Sequence, residues 1–447
     1  MTPPSSLLLG LDVGSSRIKA LLVDHEGREG QLSSVPSPFA TTAQGVEAGV
    51  DELLGAVRRA VSGLGPDRER VAALSVAGLA ESGAPLDGTG RPLAPVIAWH
   101  DRRGEDVAER LRRRFGPDLA HRMGQQVRYV SSAAKLGWLL DHGVTGVSRW
   151  LGVPELCLHQ LTGATATEWS LAARTGCLDV GRRTWMPEVA DAAGFDVDVF
   201  AEVLAAGTEM GRVQRAAADE WGLPSGVPVT IAGHDHLAGV VGSGADPADL
   251  VNSVGTAETV VGRSPTLPDV RAALEAGLAI TLFPGGDGWA VLASGARAGL
   301  AVNEAAETLG ADPAELDAEA AAGHDTLDAP GLLESLRRRD PPALPDGPAG
   351  VVWRTLLDAL SVCTADAVER VTGLLPGAAR LVVFGGGARS EPWLAAKTAR
   401  LGVPVWRTAA GEAVARGAAV FGGVAAGWWS SPAEAPKPVL EKAQVAE

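Results

Sequence analysis

Leu7-Leu8-Leu9-Gly10-Leu11-Asp12-Val13-Gly14-Ser15-Ser16-Arg17-Ile18-Lys19-Ala20-Leu21-Leu22-Val23 is the stretch that decides the fold. From Leu7 to Val13 the run is apolar except for Asp12 near its end, as in a buried strand. Gly14-Ser15-Ser16 supplies a turn, and Ile18-Lys19-Ala20-Leu21-Leu22-Val23 returns, so the two runs predict a hairpin with a small-residue tip. The same shape recurs at Leu250-Val251-Asn252-Ser253-Val254, with tip Gly255-Thr256-Ala257-Glu258 and return Thr259-Val260-Val261. Two such hairpins, each opening a segment of mixed strands and helices, predict a duplicated α/β plan whose tips face one ligand.

Two further strands end in unusual residues. Val227-Pro228-Val229-Thr230-Ile231-Ala232 runs into Gly233-His234-Asp235-His236, and Arg380-Leu381-Val382-Val383-Phe384 runs into Gly385-Gly386-Gly387. Polar or glycine-rich residues just past a buried strand are where α/β sheets place their sites. Trp353, Leu356, Leu357, Leu360, Cys363, Ala367, Val368 and Val371 recur at helical spacing and predict a core-facing helix, with ring and thiol as packing. The first domain is expected over 1–244 and the second over 245–447, crossing at Ala245-Asp246-Pro247. The proline-rich segment 340–348 reads as a loop, and about the last ten residues as a mobile tail.

A length of 447 residues suits about two or three domains. An apolar content of 46% with 21% charged residues is that of a soluble globular protein. The formal charge of −15 argues against a nucleic-acid partner, which needs clustered cations. Arg110, Arg112, Arg113 and Arg114 fall on an amphipathic helix and read as a solvated face. Cys157, Cys177 and Cys363 lie at no metal-like spacing, which suits a reducing cytoplasm without disulfides or zinc. Residues 1–6 lack a basic leader, and no apolar run reaches the ~18 residues of a membrane span, so a cytoplasmic location and no membrane partner are expected.

Phosphate groups are held by backbone N–H donors at close approach, and a glycine followed by small hydroxyl residues offers them at both tips. Neither tip is a Walker A loop, since no Gly-Lys-Ser/Thr follows. Asp12 offers the carboxylate oxygen that Mg²⁺ prefers. Asp235, set among Gly233, Gly239, Gly242 and Gly244, has two readings: a base for an attacking hydroxyl, or the cap of a helix beginning near Leu237. His234 and His236 flank it at a spacing that fits no common metal site. Gly385-Gly386-Gly387-Ala388-Arg389-Ser390 is either a seat for a nucleotide or a mobile turn, and Glu412-Ala413-Val414-Ala415-Arg416-Gly417-Ala418-Ala419 reads as a closely packed helix.

In order, Gly10-Leu11-Asp12-Val13-Gly14-Ser15-Ser16, Gly233-His234-Asp235-His236-Leu237-Ala238-Gly239, Ser253-Val254-Gly255-Thr256, and the triple-glycine block with Gly402-Val403-Pro404-Val405 and Glu412-Ala413 resemble the FGGY family of carbohydrate kinases. The resemblance covers nearly the whole chain, including Trp99-His100-Asp101-Arg102 and Ser170-Leu171-Ala172-Ala173-Arg174-Thr175-Gly176. It implies an α/β fold of two actin-like (ribonuclease H-like) ATPase domains that close around ATP, Mg²⁺ and a small sugar or polyol. By resemblance Asp235 is the catalytic base and Asp12 sits by the metal. Ser15, Ser16, Lys19 and Thr256 would contact phosphates, and Gly386, Gly387 and Ser390 the adenosine. Ala80, Glu81, Trp99, His100, Asp101 and His236 would hold the substrate. Dimers are frequent in the family, so a homodimer is an implied state.

Departures bear on the substrate. Glycerol kinases usually carry Arg-Glu, and xylulokinases Met-His, where this chain has Ala80-Glu81; Ala395 and Ala399 stand where the family often has Gln and Asp. The favoured expectation is ATP-dependent phosphorylation of a xylulose-like ketopentose, with gluconate, L-fuculose, L-ribulose or erythritol as alternatives. Outside the enzyme class stand a catalytically silent sugar- or nucleotide-binding protein and a polymerising or chaperone ATPase on the same fold.

Overall fold

The computed structural model describes residues 6–323 and 325–444; the leader expectation for residues 1–5 lies outside them. β1 (Leu7–Val13) and β2 (Arg17–Val23) pair antiparallel, and β4 (Val71–Gly78) lies parallel along the other edge of β1. All of β1 after Leu7 is therefore buried, which is why the run is apolar in all but Asp12 rather than alternating. With β3 (Glu29–Pro36), β5 (Gly211–Arg212) and β6 (Pro228–His234) they form a six-stranded sheet of order β5-β6-β4-β1-β2-β3.

The plan then repeats. β7 (Leu250–Val254) and β8 (Glu258–Ser264) form the second hairpin, and β11 (Leu381–Phe384) and β12 (Val405–Thr408) follow in parallel beside β7. Adding β9 (Ala279–Leu282), β10 (Trp289–Ser294) and β13 (Leu440–Lys442) gives a seven-stranded sheet of order β9-β10-β8-β7-β11-β12-β13. In both sheets the hairpin's first strand is flanked by parallel strands supplied later in the chain, so the duplicated plan is what forms.

Helices relevant to the site are α1 (Asp235–Gly242), α2 (Ala349–Leu374), α3 (Glu391–Arg400) and α4 (Ala413–Ala425). α2 is the predicted core-facing helix, and its Trp353 and Cys363 are packing residues. α4 comes from the far end of the chain yet lies against β1, β4 and α1. Side chains larger than hydrogen would stop that approach: a Cβ on Gly10 would run into the Ala415 carbonyl, and one on Gly417 into the Ala238 carbonyl. The Arg-rich helix is a solvated face as expected, its Arg110, Arg112 and Arg113 pairing with Asp141, Glu105 and Glu109.

Two expectations change. β6 continues through Gly233 to His234, because its register with β4 shifts between Ile231 and Gly233, where Gly233 has φ +100°. α1 consequently begins at Asp235 rather than near Leu237, and the cap position falls on His234, so Asp235 is not the cap. The tail is also strapped down as far as it is described, the expectation for residues 445–447 lying outside the described residues: β13 pairs with β12, Lys437 binds Asp246 at 2.5 Å, and the Pro436 carbonyl accepts from Arg416 at 2.6 Å.

Candidate active site

The two hairpin tips meet, with Ser16 Oγ 3.2 Å from Thr256 Oγ1. Ser15 beside them is half-buried, and Gly255 and Thr256 are exposed. Behind the first tip, Lys19 Nζ lies 2.5 Å from Glu412 Oε2 and 4.0 Å from Asp12 Oδ2. Lys19 therefore ties the first hairpin to the start of α4. Burial pushes the Asp12 carboxyl up to about 7; Lys19 acts against that rise, and Asp235 and Glu412 add to it. Asp12 thus feels two other carboxylates as well as the ammonium.

Asp235 is aimed by the bulge. His236 N donates to Asp235 Oδ1 at 2.7 Å, and His234 Nε2 lies 3.2 Å from the same oxygen. Burial drives His234 down to about 3, so its ring is neutral at ordinary pH, and its Nδ1 has no partner among the described residues. His236 Nδ1 is 3.0 Å from Ser253 Oγ on β7, a contact from α1 to the second sheet. Ligand atoms of His234, Asp235 and His236 fall within 4.8 Å of one another, closer than their spacing suggested. Two of those groups are already engaged, Asp235 by the His236 amide and His236 by Ser253.

On the expected substrate side, Ala80 is buried and Glu81 sits at φ +70°, its carboxylate paired with Arg174. Asp101 accepts from Arg103 Nε at 3.0 Å and from the Val46 amide at 2.6 Å. Burial raises its pKa, but those bonds outweigh it and hold the carboxyl below the usual range. Both oxygens are taken, so Asp101 fixes the loop that carries Trp99 and His100, whose rings meet edge-on at 5.3 Å. His100 is exposed at the surface of that loop, and the desolvation it does undergo lowers its pKa. On the expected adenosine side, Gly386–Arg389 forms a single tight turn, and Ser390 Oγ caps α3 by accepting from Trp393 N at 3.3 Å. A Cβ on Gly387 would strike Val254 and Trp393, whereas one on Gly386 would meet nothing within 4 Å.

These blocks converge although they are dispersed along the chain, and comparison with known proteins explains the arrangement. The profile of the FGGY family of carbohydrate kinases, N-terminal domain, matches residues 7–242, more than half of the chain. The chain belongs to the FGGY family of carbohydrate kinases. This FGGY kinase is a phosphotransferase acting on a sugar hydroxyl, as the order of its blocks implied. It is 26% identical to an L-fuculokinase of Salmonella typhi over 96% of this chain and 94% of the relative. It is 27% identical to a xylulose kinase of Streptomyces rubiginosus over 92% of this chain and 86% of the relative. A xylulose kinase from Brucella ovis superposes with a TM-score of 0.84 at 23% identity, over 98% of this chain and 95% of that one, which shows the two-domain actin-like fold. No helix among the described residues of the kinase is long and apolar enough to cross a membrane.

Sequence reasoning missed three residues around this kinase's cleft. Glu412 reads in the sequence only as part of a closely packed helix, although an acidic residue beside such small neighbours is a signal. Arg174 carries no local signal of a role, because its partner Glu81 lies 93 positions away. Lys135 is fully buried and donates to the carbonyls of Trp99 at 3.1 Å and Tyr129 at 3.2 Å. Burial lowers its pKa to about 8 against the pull of Glu81 and Asp101. A lone lysine inside Ala133-Ala134-Lys135-Leu136 was the available sign.

Proposed function

We propose that this kinase transfers the γ-phosphoryl group of ATP to a hydroxyl of a small ketose, with Asp235 as the general base. The observation that carries the reading is the station of Asp235, turned by the bulge at the end of β6, oriented by the His236 amide and within electrostatic reach of Asp12. A sugar hydroxyl is a weak nucleophile until a carboxylate takes its proton as the oxygen–phosphorus bond forms and the bond to ADP breaks.

The cleft fits a magnesium nucleotide. Asp12 offers a hard oxygen in a pocket where acidic groups outnumber the ammonium beside them, and it would hold Mg²⁺ largely through water. Ser15, Ser16 and Thr256 would meet phosphates, and the open space at Gly386 suits a nucleotide face. When bound, the magnesium nucleotide supplies the phosphoryl group and neutralises charge on its oxygens. Apposition of the two tips and the His236–Ser253 contact would shut water away from the reacting atoms.

A ketose is favoured because two relatives that span nearly the whole chain are an L-fuculokinase and a xylulose kinase, and both of those sugars are ketoses. The ketopentose expectation therefore widens to a deoxyketohexose. Residues 1–244 and 245–447 stand as the proposed domains, with α4 of the second seated on the sheet of the first.

A coupled ADP-release assay over D-xylulose, L-ribulose, L-fuculose, gluconate and erythritol, with Asp235→Asn alongside, tests this. Turnover on a ketose that drops by several orders of magnitude in Asp235→Asn is the expected result. Survival of turnover in that variant removes the base, and turnover on gluconate or erythritol alone removes the ketose.

A further inference from the structure

We infer that Glu168 is a positioning residue for Asp235: through Ser170 it fixes the backbone turn that aims the base, and through Gly285 it ties that aim to the second sheet. The inference rests on the reading of Asp235 as base.

Glu168 is fully buried and stands just before a short helix, Trp169–Ala172. Its Oε2 accepts from Ser170 N at 2.7 Å and from Ser170 Oγ at 2.5 Å. Ser170 Oγ in turn accepts from His234 N at 2.9 Å, the amide immediately before Asp235. Gly233 is packed so tightly here that a Cβ would run into both Ser170 Oγ and the Glu168 carboxyl. Carboxyl, hydroxyl and bulge therefore interlock, and the 233–234 peptide cannot rotate without breaking them.

The other oxygen of Glu168 faces the opposite way. Oε1 accepts from Gly285 N at 3.2 Å, in the loop between β9 and β10 and 117 positions along the chain. One buried carboxyl thus holds the elbow of the first sheet with one oxygen and a loop of the second with the other.

Capping alone does not account for it. A four-residue helix is served by a half-exposed serine or aspartate, whereas a carboxyl taken fully out of water loses its hydration unless donors surround it. Glu168 has no ion-pair partner among the described residues, and the donors that bond it come from the short helix that follows it and from the loop between β9 and β10. Such an arrangement makes the aim of Asp235 sensitive to closure: separating the sheets withdraws the Gly285 amide from the carboxyl that holds the turn.

The test uses the full chain with Ser170→Ala, Ser170→Thr and Glu168→Gln, and Asp235→Asn as control. Amide hydrogen exchange needs no substrate. Ser170→Ala is expected to speed exchange at 233–236, and Glu168→Gln at both 233–236 and 283–288. On the ketose with the highest kcat/KM, misaiming the base is expected to lower kcat about 10- to 100-fold in Ser170→Ala. KM for ATP should stay within about threefold, as the nucleotide side is untouched, and Ser170→Thr should restore most of the loss because it keeps the hydroxyl. Exchange changes confined to 168–172, an unaltered kcat, or kcat and KM for ATP moving together would overturn the inference. Should Glu168→Gln fail to fold, the Ser170 pair carries the test. Turnover retained in Asp235→Asn would instead remove the base reading, leaving hydrogen exchange to judge the coupling alone.

Discussion

Ser16 Oγ and Thr256 Oγ1 lie 3.2 Å apart across 240 positions of sequence, so the tips of two similar hairpins close on each other at one point. Both residues are exposed, and a neutral hydroxyl pair at the surface contributes little to folding. Its consequence is for what sits between the tips. Ser16→Ala and Thr256→Val are each expected to weaken ATP binding by ~1 kcal/mol, about fivefold, with stability unchanged within ~0.5 kcal/mol. Calorimetric titration checks this; unaltered affinity in both would take the tips out of the nucleotide site.

Gly417 sits inside α4, where replacing glycine by alanine ordinarily stabilises a helix by ~1 kcal/mol. Here the new methyl group would strike the Ala238 carbonyl of α1. Overpacking against backbone reverses the sign, so Gly417→Ala should lose ~1–3 kcal/mol. A thermal melt decides it: a raised Tm would contradict the close crossing of α4 on α1.

Lys397 and Glu258 form an ion pair at 2.6 Å with both side chains at 0% exposure, and Thr364 Oγ1 lies 2.6 Å from the ammonium. Burial pulls the Lys397 pKa down, and Glu258 opposes that shift. The pair joins α3 to the residue that closes the second tip. Lys397→Met strands a buried carboxylate and should cost ~3–5 kcal/mol, while adding Glu258→Leu should recover much of the loss. Denaturant unfolding of the two variants separates these cases; a single-variant loss under ~1 kcal/mol would mean water reaches the pair.

Burial holds two further carboxyls above their ordinary value of 4.5, Glu155 at about 7 and Glu168 at about 8. Between those limits the folded chain binds protons that the unfolded chain has released. Stability is therefore fully present below the unfolded value and falls as pH rises through 7 to 8, by at most ~1.4 kcal/mol per pH unit for each group. Asp12, raised to about 7, acts in the same sense. Urea unfolding at pH 5, 6, 7 and 8 should show the decline, and Glu155→Gln should lessen it below pH 7. An unchanged slope in that variant would mean that Glu155 ionises freely in the fold.

Both hairpins were legible because their causes are local. A strand covered on both faces reads as a mostly apolar run, broken here by Asp12 in β1 and by Asn252 and Ser253 in β7, and Gly14-Ser15-Ser16 and Gly255-Thr256 are residues a tight tip accepts. The α2 stripe was legible for the same reason, and the order of the blocks disclosed the family and its candidate base. The bulge that ends β6 was not, since a register shift depends on how β4 lies beside it. Nor was β13, because Leu440-Glu441-Lys442 has no apolar pattern and is held by backbone bonds to β12.

What the sequence determined by itself is which faces are apolar, where the chain turns, and which carboxylates stand at strand ends. What only the tertiary structure decided is who meets whom: Ser16 with Thr256, Lys19 with Glu412, Glu168 with both Ser170 and Gly285. The apolar pattern states that a face must leave water without stating what will cover it. The polar partners are then chosen by the docking of two separately patterned sheets, because each buried donor or acceptor must be satisfied by whatever that docking brings within reach.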